Sequence, residues 1–112
     1  MLVIRIHPHI KQVEKDYNPL IIENENEIAK LNDKTWSSII VKEGLFEEMR
    51  NELILNDYPH IQFIHIQKIS FKNISSLNIS NLPELKYLIF ENNSFHETTN
   101  LTLSSIFLLM FI

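Results

Sequence analysis

The sequence predicts a mainly β fold, an α/β solenoid of about three stacked coils with a short N-terminal helix. Three observations carry this prediction. A pattern of apolar residues recurs after about 24 residues, apolar and polar positions alternate in two short runs within each repeat, and Asn and Ser residues separate the runs. Such repeats are typical of solenoids, because one unit has too little interior to bury alone and must share a core with its neighbours.

Composition sets broad limits on what the chain can be. Its 112 residues, 45% of them hydrophobic and 21% charged, match a single small globular domain. A formal net charge of -4 lacks the basic character that phosphate binding requires, so nucleic acid is not an expected partner. The absence of cysteine excludes disulfides and thiolate metal sites, and together with the lack of a visible signal peptide it favours the cytoplasm.

The N-terminal part of the chain is predicted to lead into the repeats and to cap them. Residues 1–16 are expected to form an extension of strand and loop, whose opening apolar run is too short for a signal peptide. Residues 17–35 are expected to form an edge strand at Leu20–Ile22 and a short helix that covers the first repeat. Asn24 is placed to cap this helix, and Glu27 lies three residues further on.

The second half of the chain superimposes on itself when it is shifted by one repeat. Ile64 then falls on Leu88 and Leu77 on Leu101, since 88 minus 64 and 101 minus 77 both equal 24. An earlier repeat begins at Trp36, and its spacing is longer by one position because a residue is added within it. The repeats therefore account for most of the chain.

Each repeat contains two short runs in which apolar and polar positions alternate. Alternation with a period of two puts Leu88 and Phe90 on one face of a strand and Ile89 on the other. The Asn and Ser residues between the runs suit turns, because their side chains bond nearby backbone groups. The predicted core consists of the residues that recur at inward-facing positions: Ile39, Val41, Phe46, Leu53, Leu55, Ile64, Ile66, Phe71, Leu77, Ile79, Leu88, Phe90, Phe95, Leu101 and Leu103.

The segment Leu85–Phe95 carries a family motif. Its sequence, LKYLIFENNSF, resembles the leucine-rich-repeat pattern L-x-x-L-x-L-x-x-N-x-L, with Phe at two of the Leu positions. The chain is similar to leucine-rich-repeat proteins of the irregular class found in protist proteins and bacterial surface antigens. The resemblance implies a short leucine-rich-repeat solenoid over residues 36–112 that is truncated at its C-terminus. Gly44 and Ile69 replace the Asn93 of the motif, so the earlier repeats lack the Asn that would bond the loop backbone.

The resemblance also implies a non-enzymatic scaffold that recognises a protein partner on its stacked strand face, with no cofactor. We expect the binding side chains to be those that point outward from the presumed concave strands. They are Phe63, His65, Gln67, Tyr87, Ile89 and Glu91, continued in the first repeat by Ser38, Ile40 and Lys42. Phe63, Tyr87 and Ile89 would form an apolar centre between charged ends. The alternative is that aromatic and β-branched residues stand here only because they favour strands.

The C-terminal segment Ile106–Ile112 is uninterruptedly apolar. Seven residues in a helix reach about 10 Å, against about 30 Å of bilayer hydrocarbon, so no transmembrane segment is expected. A shift by one repeat places Ile112 on Leu88, so the next strand is only begun and leaves an apolar edge that favours self-association. The alternative function is therefore a structural or end segment of a larger surface-exposed repeat protein, with its binding face in other coils.

Residue types used in catalysis and metal binding occur without a supporting pattern. The pairs His7 with His9 and His60 with His65 lack a carboxylate at ligand spacing, so no metal site is expected. With the single glycine Gly44 and no nucleophile elbow, no enzymatic activity is expected. Four Asn-x-Ser/Thr sequons are present, and they would accept glycans only if the chain were secreted.

Overall fold

Alternating apolar residues and polar corners build two parallel β-sheets. The computed structural model of the protein describes residues 19–106, 110 and 111. The strands are β1 Pro19–Ile22, β2 Ser38–Val41, β3 Glu52–Asn56, β4 Phe63–Ile66, β5 Ser76–Leu82, β6 Tyr87–Phe90, β7 Asn100–Ile106 and β8 Met110–Phe111. One sheet has the order β1-β2-β4-β6-β8 and the other the order β3-β5-β7. With one short helix added, the described residues form a small compact α/β domain that consists mainly of strands.

From β2 onward, successive strands alternate between the two sheets. Each stretch of 24 or 25 residues therefore contributes one strand to the five-stranded sheet and one to the three-stranded sheet, and we call such a stretch a tier. Ile64 pairs with Leu88 in the first sheet, and Leu77 pairs with Leu101 in the second. The shift predicted from the sequence is thus confirmed as the register of both sheets.

The hydrophobic core lies between the two sheets. Most of the predicted core residues are buried there, and Phe90 packs against them from a partly buried position. Leu101 and Leu103 were predicted to be inside, and this prediction is wrong, because their exposed fractions are 43% and 36%. Both lie on β7, the last strand of its sheet, where β5 covers one side and no described strand covers the other.

Left-handed backbone corners repeat from tier to tier. The residues with positive φ recur in three columns: Gly44, Ile69 and Asn93; Phe46, Phe71 and Phe95; Asp57 and Asn81. In the second column, the Phe71 ring stacks between the other two rings, with centroid distances of 4.8 and 5.6 Å. The corners bring the chain round to the same place in each tier, and the aromatic column fills the space inside them.

Ser70 joins neighbouring tiers beside the corner at Ile69. It is fully buried, its hydroxyl donates to the Lys42 carbonyl oxygen at 2.5 Å, and it accepts from the Leu45 N–H at 3.1 Å. The Gly44 N–H in turn donates to the Lys68 carbonyl oxygen at 3.1 Å. Neighbouring tiers are therefore joined at this corner by hydrogen bonds that do not need an Asn side chain.

The predicted short helix is present as a 3₁₀ helix over Glu25–Asn32, and Asn24 is its N-cap as predicted. The Asn24 side chain accepts from the Asn26 N–H at 3.1 Å. Glu27 accepts from the Glu23 N–H at 2.9 Å and pairs with Lys30. The hydrogen bond from Lys30, followed by the one from the Glu23 N–H, lowers the pKa of Glu27.

The two ends of the chain are described only in part. The predicted strand and loop at residues 1–16 lie outside the described residues, and so do residues 107–109 and 112 of the apolar C-terminal run. β8 pairs Leu88 with Phe111, one residue earlier than the predicted pairing with Ile112. In the part of the chain that is described, no helix is both long and apolar enough to cross a membrane.

Candidate functional site

The predicted binding residues come together on one face of the five-stranded sheet. Parallel pairing aligns Phe63 with Tyr87 and His65 with Ile89. Gln67 and Glu91 follow the ends of β4 and β6, where their N–H groups donate to the neighbouring strand at 2.9 and 3.0 Å. The six side chains thus form rows across adjacent strands, as their sequence positions predict. Ser38, Ile40 and Lys42 extend the rows on β2 and just after it.

The centre of this face is buried, which corrects the expectation of an exposed apolar patch. Phe63 has an exposed fraction of 0%, and Ile40 and Ile89 are each at 5%. The Phe63 ring lies 6.0 Å from the Tyr87 ring and 6.1 Å from the His65 ring. Because parallel register places large apolar side chains side by side, they shield one another, and the middle of this face is buried.

Four of the six predicted residues remain accessible, around the buried centre of this face. Tyr87 and Gln67 are partly exposed, while the side chains of His65 and Glu91 are exposed to 13% and 35%. The exposed Lys42 continues the strip. We call these five residues the ladder strip.

His65 and Glu91 hold each other in place within the ladder strip. The His65 Nε2 atom lies 2.5 Å from the Glu91 Oε2 atom. An ionised carboxylate can only accept, so the imidazole donates this hydrogen bond. The contact joins β4 to the segment after β6 and fixes two polar side chains at the surface. The ladder strip therefore combines an aromatic ring, an amide, a charge of each sign and an imidazole that is held in one orientation.

The outer face of the three-stranded sheet is a second accessible surface, which the sequence reasoning did not single out. Parallel register aligns Ile54 with Asn78 and then with Thr102. The exposed fraction of Ile54 is 48%, and the Asn78 Oδ1 atom is shielded without a hydrogen-bond partner. The alternation of residues along β3, β5 and β7 could have revealed this face. Its residues are those that lie between the predicted core residues of each strand.

The remaining candidate groups stay apart. His60 Nδ1 lies 4.0 Å from Glu84 Oε1, whereas His65 pairs with Glu91, so the two histidines do not share a site. Across residues 19–106, 110 and 111, no three His, Asp or Glu side chains are grouped closely enough to hold a metal ion. Among the sequon asparagines, Asn73 donates from Nδ2 to the Glu47 carbonyl oxygen at 2.8 Å.

Comparison with known proteins does not extend this description. No protein-family model matches the chain, and neither the curated proteins nor the solved structures give a significant match.

Proposed function

We propose that the chain is a leucine-rich-repeat solenoid that acts as a non-enzymatic scaffold and binds a protein partner through the ladder strip. The observation that carries this proposal is the in-register stacking of β2, β4 and β6. It brings side chains that lie one repeat apart in the sequence into one continuous surface. A surface assembled in this way from successive repeats is the usual binding site of solenoid proteins.

Several features support the solenoid part of the proposal. Strands alternate between two sheets, corners of the same handedness recur, and phenylalanine rings stack along the repeat direction. Asn93, the Asn of the leucine-rich-repeat motif, occupies a left-handed corner with φ of 64°. Asn is among the few residues that adopt this conformation readily. The backbone conformation therefore explains why an Asn suits this position.

The binding part of the proposal follows from how the ladder strip is held. Tyr87 offers an aromatic ring that packs beside the buried Phe63, and Glu91 is restrained by His65. Side chains ordered before binding lose less conformational entropy when a partner arrives. Aromatic side chains are also frequent anchors of protein interfaces. Phe63 and Ile89 take part by packing beside the accessible residues in the same rows.

Site-directed crosslinking tests the proposal. A photo-crosslinking residue placed at Gln67 in the full chain should capture a protein partner from cells, and the same residue placed at Ile54 should not. Tyr87→Ala should reduce the capture at least about tenfold, the effect of removing one interface anchor. Phe63 and Ile89 stay unchanged in these variants, because their burial would turn a binding test into a folding test.

Ile54→Ala is the matched control, since it also truncates an exposed side chain on a strand. It should leave capture unchanged. If the partner is lost with Ile54→Ala and kept with Tyr87→Ala, then binding takes place on the three-stranded sheet and the ladder strip is not the site.

A further inference from the structure

The two sheets end differently in the last tier. Equivalent inward positions on β3, β5 and β7 are Leu53, Leu77 and Leu101, whose exposed fractions are 6%, 1% and 43%. The next inward row shows the same change, and Leu103 is exposed to 36%. Side chains that are core in two tiers are therefore open to solvent in the third.

The edge of β7 also lacks the features that normally keep sheet edges apart. It is seven residues long, Asn100–Ile106, and contains no charged residue, proline or glycine. Within the described residues it pairs only with β5, so the backbone groups on its other side have no strand partner. Natural proteins usually protect long edge strands with charges, prolines or bulges, because an unprotected edge pairs with another strand.

The opposite end of the three-stranded sheet, at β3, has its core side better covered. Lys34 reaches over β3, where its Nζ atom donates to the Asn56 carbonyl oxygen at 3.0 Å and lies 4.1 Å from the centre of the Tyr58 ring. Leu31, at the end of the 3₁₀ helix, is buried in the core. Head-to-tail stacking of copies would need this end to be open. Of the two edges of this sheet, β7 is therefore the one that leaves core positions open, since Leu53 on β3 is exposed to 6% and Leu101 on β7 to 43%.

We propose that the β7 edge binds a second copy of this chain, so that two β7 strands pair across a twofold axis. The three-stranded sheets of the two copies then become one continuous sheet, and Leu101 and Leu103 of each copy pack against the partner. The contact extends the three-stranded sheet beyond β7, with the two β7 strands antiparallel because a twofold axis relates them. Because β7 carries no charge, identical edges do not repel each other, and pairing about a twofold axis closes the assembly at a dimer. This proposal uses a different surface from the ladder strip and stands or falls independently of it.

Sedimentation equilibrium of the full chain tests the proposal over a range from low micromolar to several hundred micromolar. The wild-type chain should be a dimer at the upper end of this range. Leu103→Lys, which places a charge on the β7 edge, should weaken self-association at least tenfold. Leu101→Lys is a second variant on the same edge and should act in the same way. Circular dichroism spectra identify a variant that has not folded.

Ile54→Lys is the matched control, because it adds the same charge at an exposed apolar position two strands away in the same sheet. It should dimerise as the wild type does. A wild-type chain that stays monomeric at several hundred micromolar overturns the proposal and leaves a further tier of a longer chain as the occupant of this edge. Open-ended oligomers, or a dimer that Ile54→Lys disrupts and both β7 variants leave intact, also overturn it.

Discussion

At the scale of single residues, the left-handed corners place the strictest demand on side-chain type. Gly44, Ile69 and Asn93 occupy equivalent corners with φ between 64° and 73°. Glycine and asparagine accept this conformation at little cost, whereas a β-branched side chain is strained there. Ile69 is partly buried, so the packing of its side chain and the strain of its backbone oppose each other. The middle tier therefore carries a local conflict that its neighbours avoid.

Ile69→Asn should stabilise the protein by about 1 kcal/mol, because it removes the strain of a β-branched residue at positive φ. Urea denaturation followed by circular dichroism measures the change. Gly44→Ala is the converse variant and should destabilise the protein by a similar amount. A Cβ at Gly44 would lie 3.8 Å from the Glu47 side chain, so its cost comes from the backbone conformation and not from a clash. A loss of stability in Ile69→Asn would show that packing outweighs strain at this corner.

At the scale of elements, Tyr58 ties the 3₁₀ helix to the three-stranded sheet. It follows β3, its side chain is buried, and its hydroxyl donates to the Leu31 carbonyl oxygen at 2.6 Å. Burial raises the pKa of Tyr58 from 10.0 to about 12, because the phenolate would lose its hydration. The helix is thus held by a contact that depends on the protonated hydroxyl.

This raised pKa predicts a loss of stability at alkaline pH. The folded state retains the Tyr58 proton between pH 10 and about 12, while the unfolded state releases it. The contribution of the Tyr58 proton to the free energy of unfolding is therefore complete below pH 10. It declines as the pH rises towards 12, by up to about 2 kcal/mol. Urea denaturation at a series of pH values measures this decline.

Tyr58→Phe provides the comparison, because it removes the titrating group and keeps the ring. Its stability below pH 10 should be lower than that of the wild type, since the hydrogen bond to Leu31 is lost. The difference between the two proteins should then shrink above pH 10. A difference that stays constant up to pH 12 would contradict the raised pKa.

At the scale of the whole molecule, burial changes in a regular way along the direction in which tiers stack. The first tier is covered by the 3₁₀ helix and the segment that follows it, the second is enclosed by its neighbours, and the third is open at β7. A leucine at the equivalent position therefore contributes a different amount to the free energy of unfolding in each tier. We therefore expect the stability of each tier to depend on its neighbours, because one tier buries little surface by itself.

Leucine-to-alanine substitution at equivalent positions should reveal this gradient. Leu77→Ala should cost about 2 to 5 kcal/mol, since a fully buried leucine leaves a cavity, and Leu53→Ala should cost slightly less. Leu101→Ala should cost less than about 1 kcal/mol, as is usual at exposed positions. The measurement is urea denaturation at concentrations below self-association. Equal losses at Leu77 and Leu101 would show that the β7 side of the core is as well covered as the centre.

The sequence by itself determined the repeat, the pairing and most of the core. A shift by one repeat brings Ile64 to Leu88 and Leu77 to Leu101, and these pairs are neighbours in the two sheets. The N-cap at Asn24 could also be predicted from the sequence, because capping depends on residues that are close together in the chain. Such features follow from periodicity and local backbone chemistry, and both are present in a linear sequence.

Only the tertiary structure decided which residues are covered. Phe63 and Ile89 occupy outward positions of their strands and are nevertheless buried, whereas Leu101 and Leu103 occupy inward positions and are exposed. The same limit applies to the binding site, since alternation selected all six candidates and burial left four of them at the surface. Alternation along a strand specifies the side of the sheet on which a residue lies. Exposure also depends on the neighbouring strands and on the last strand of each sheet, and these are properties of the assembled molecule.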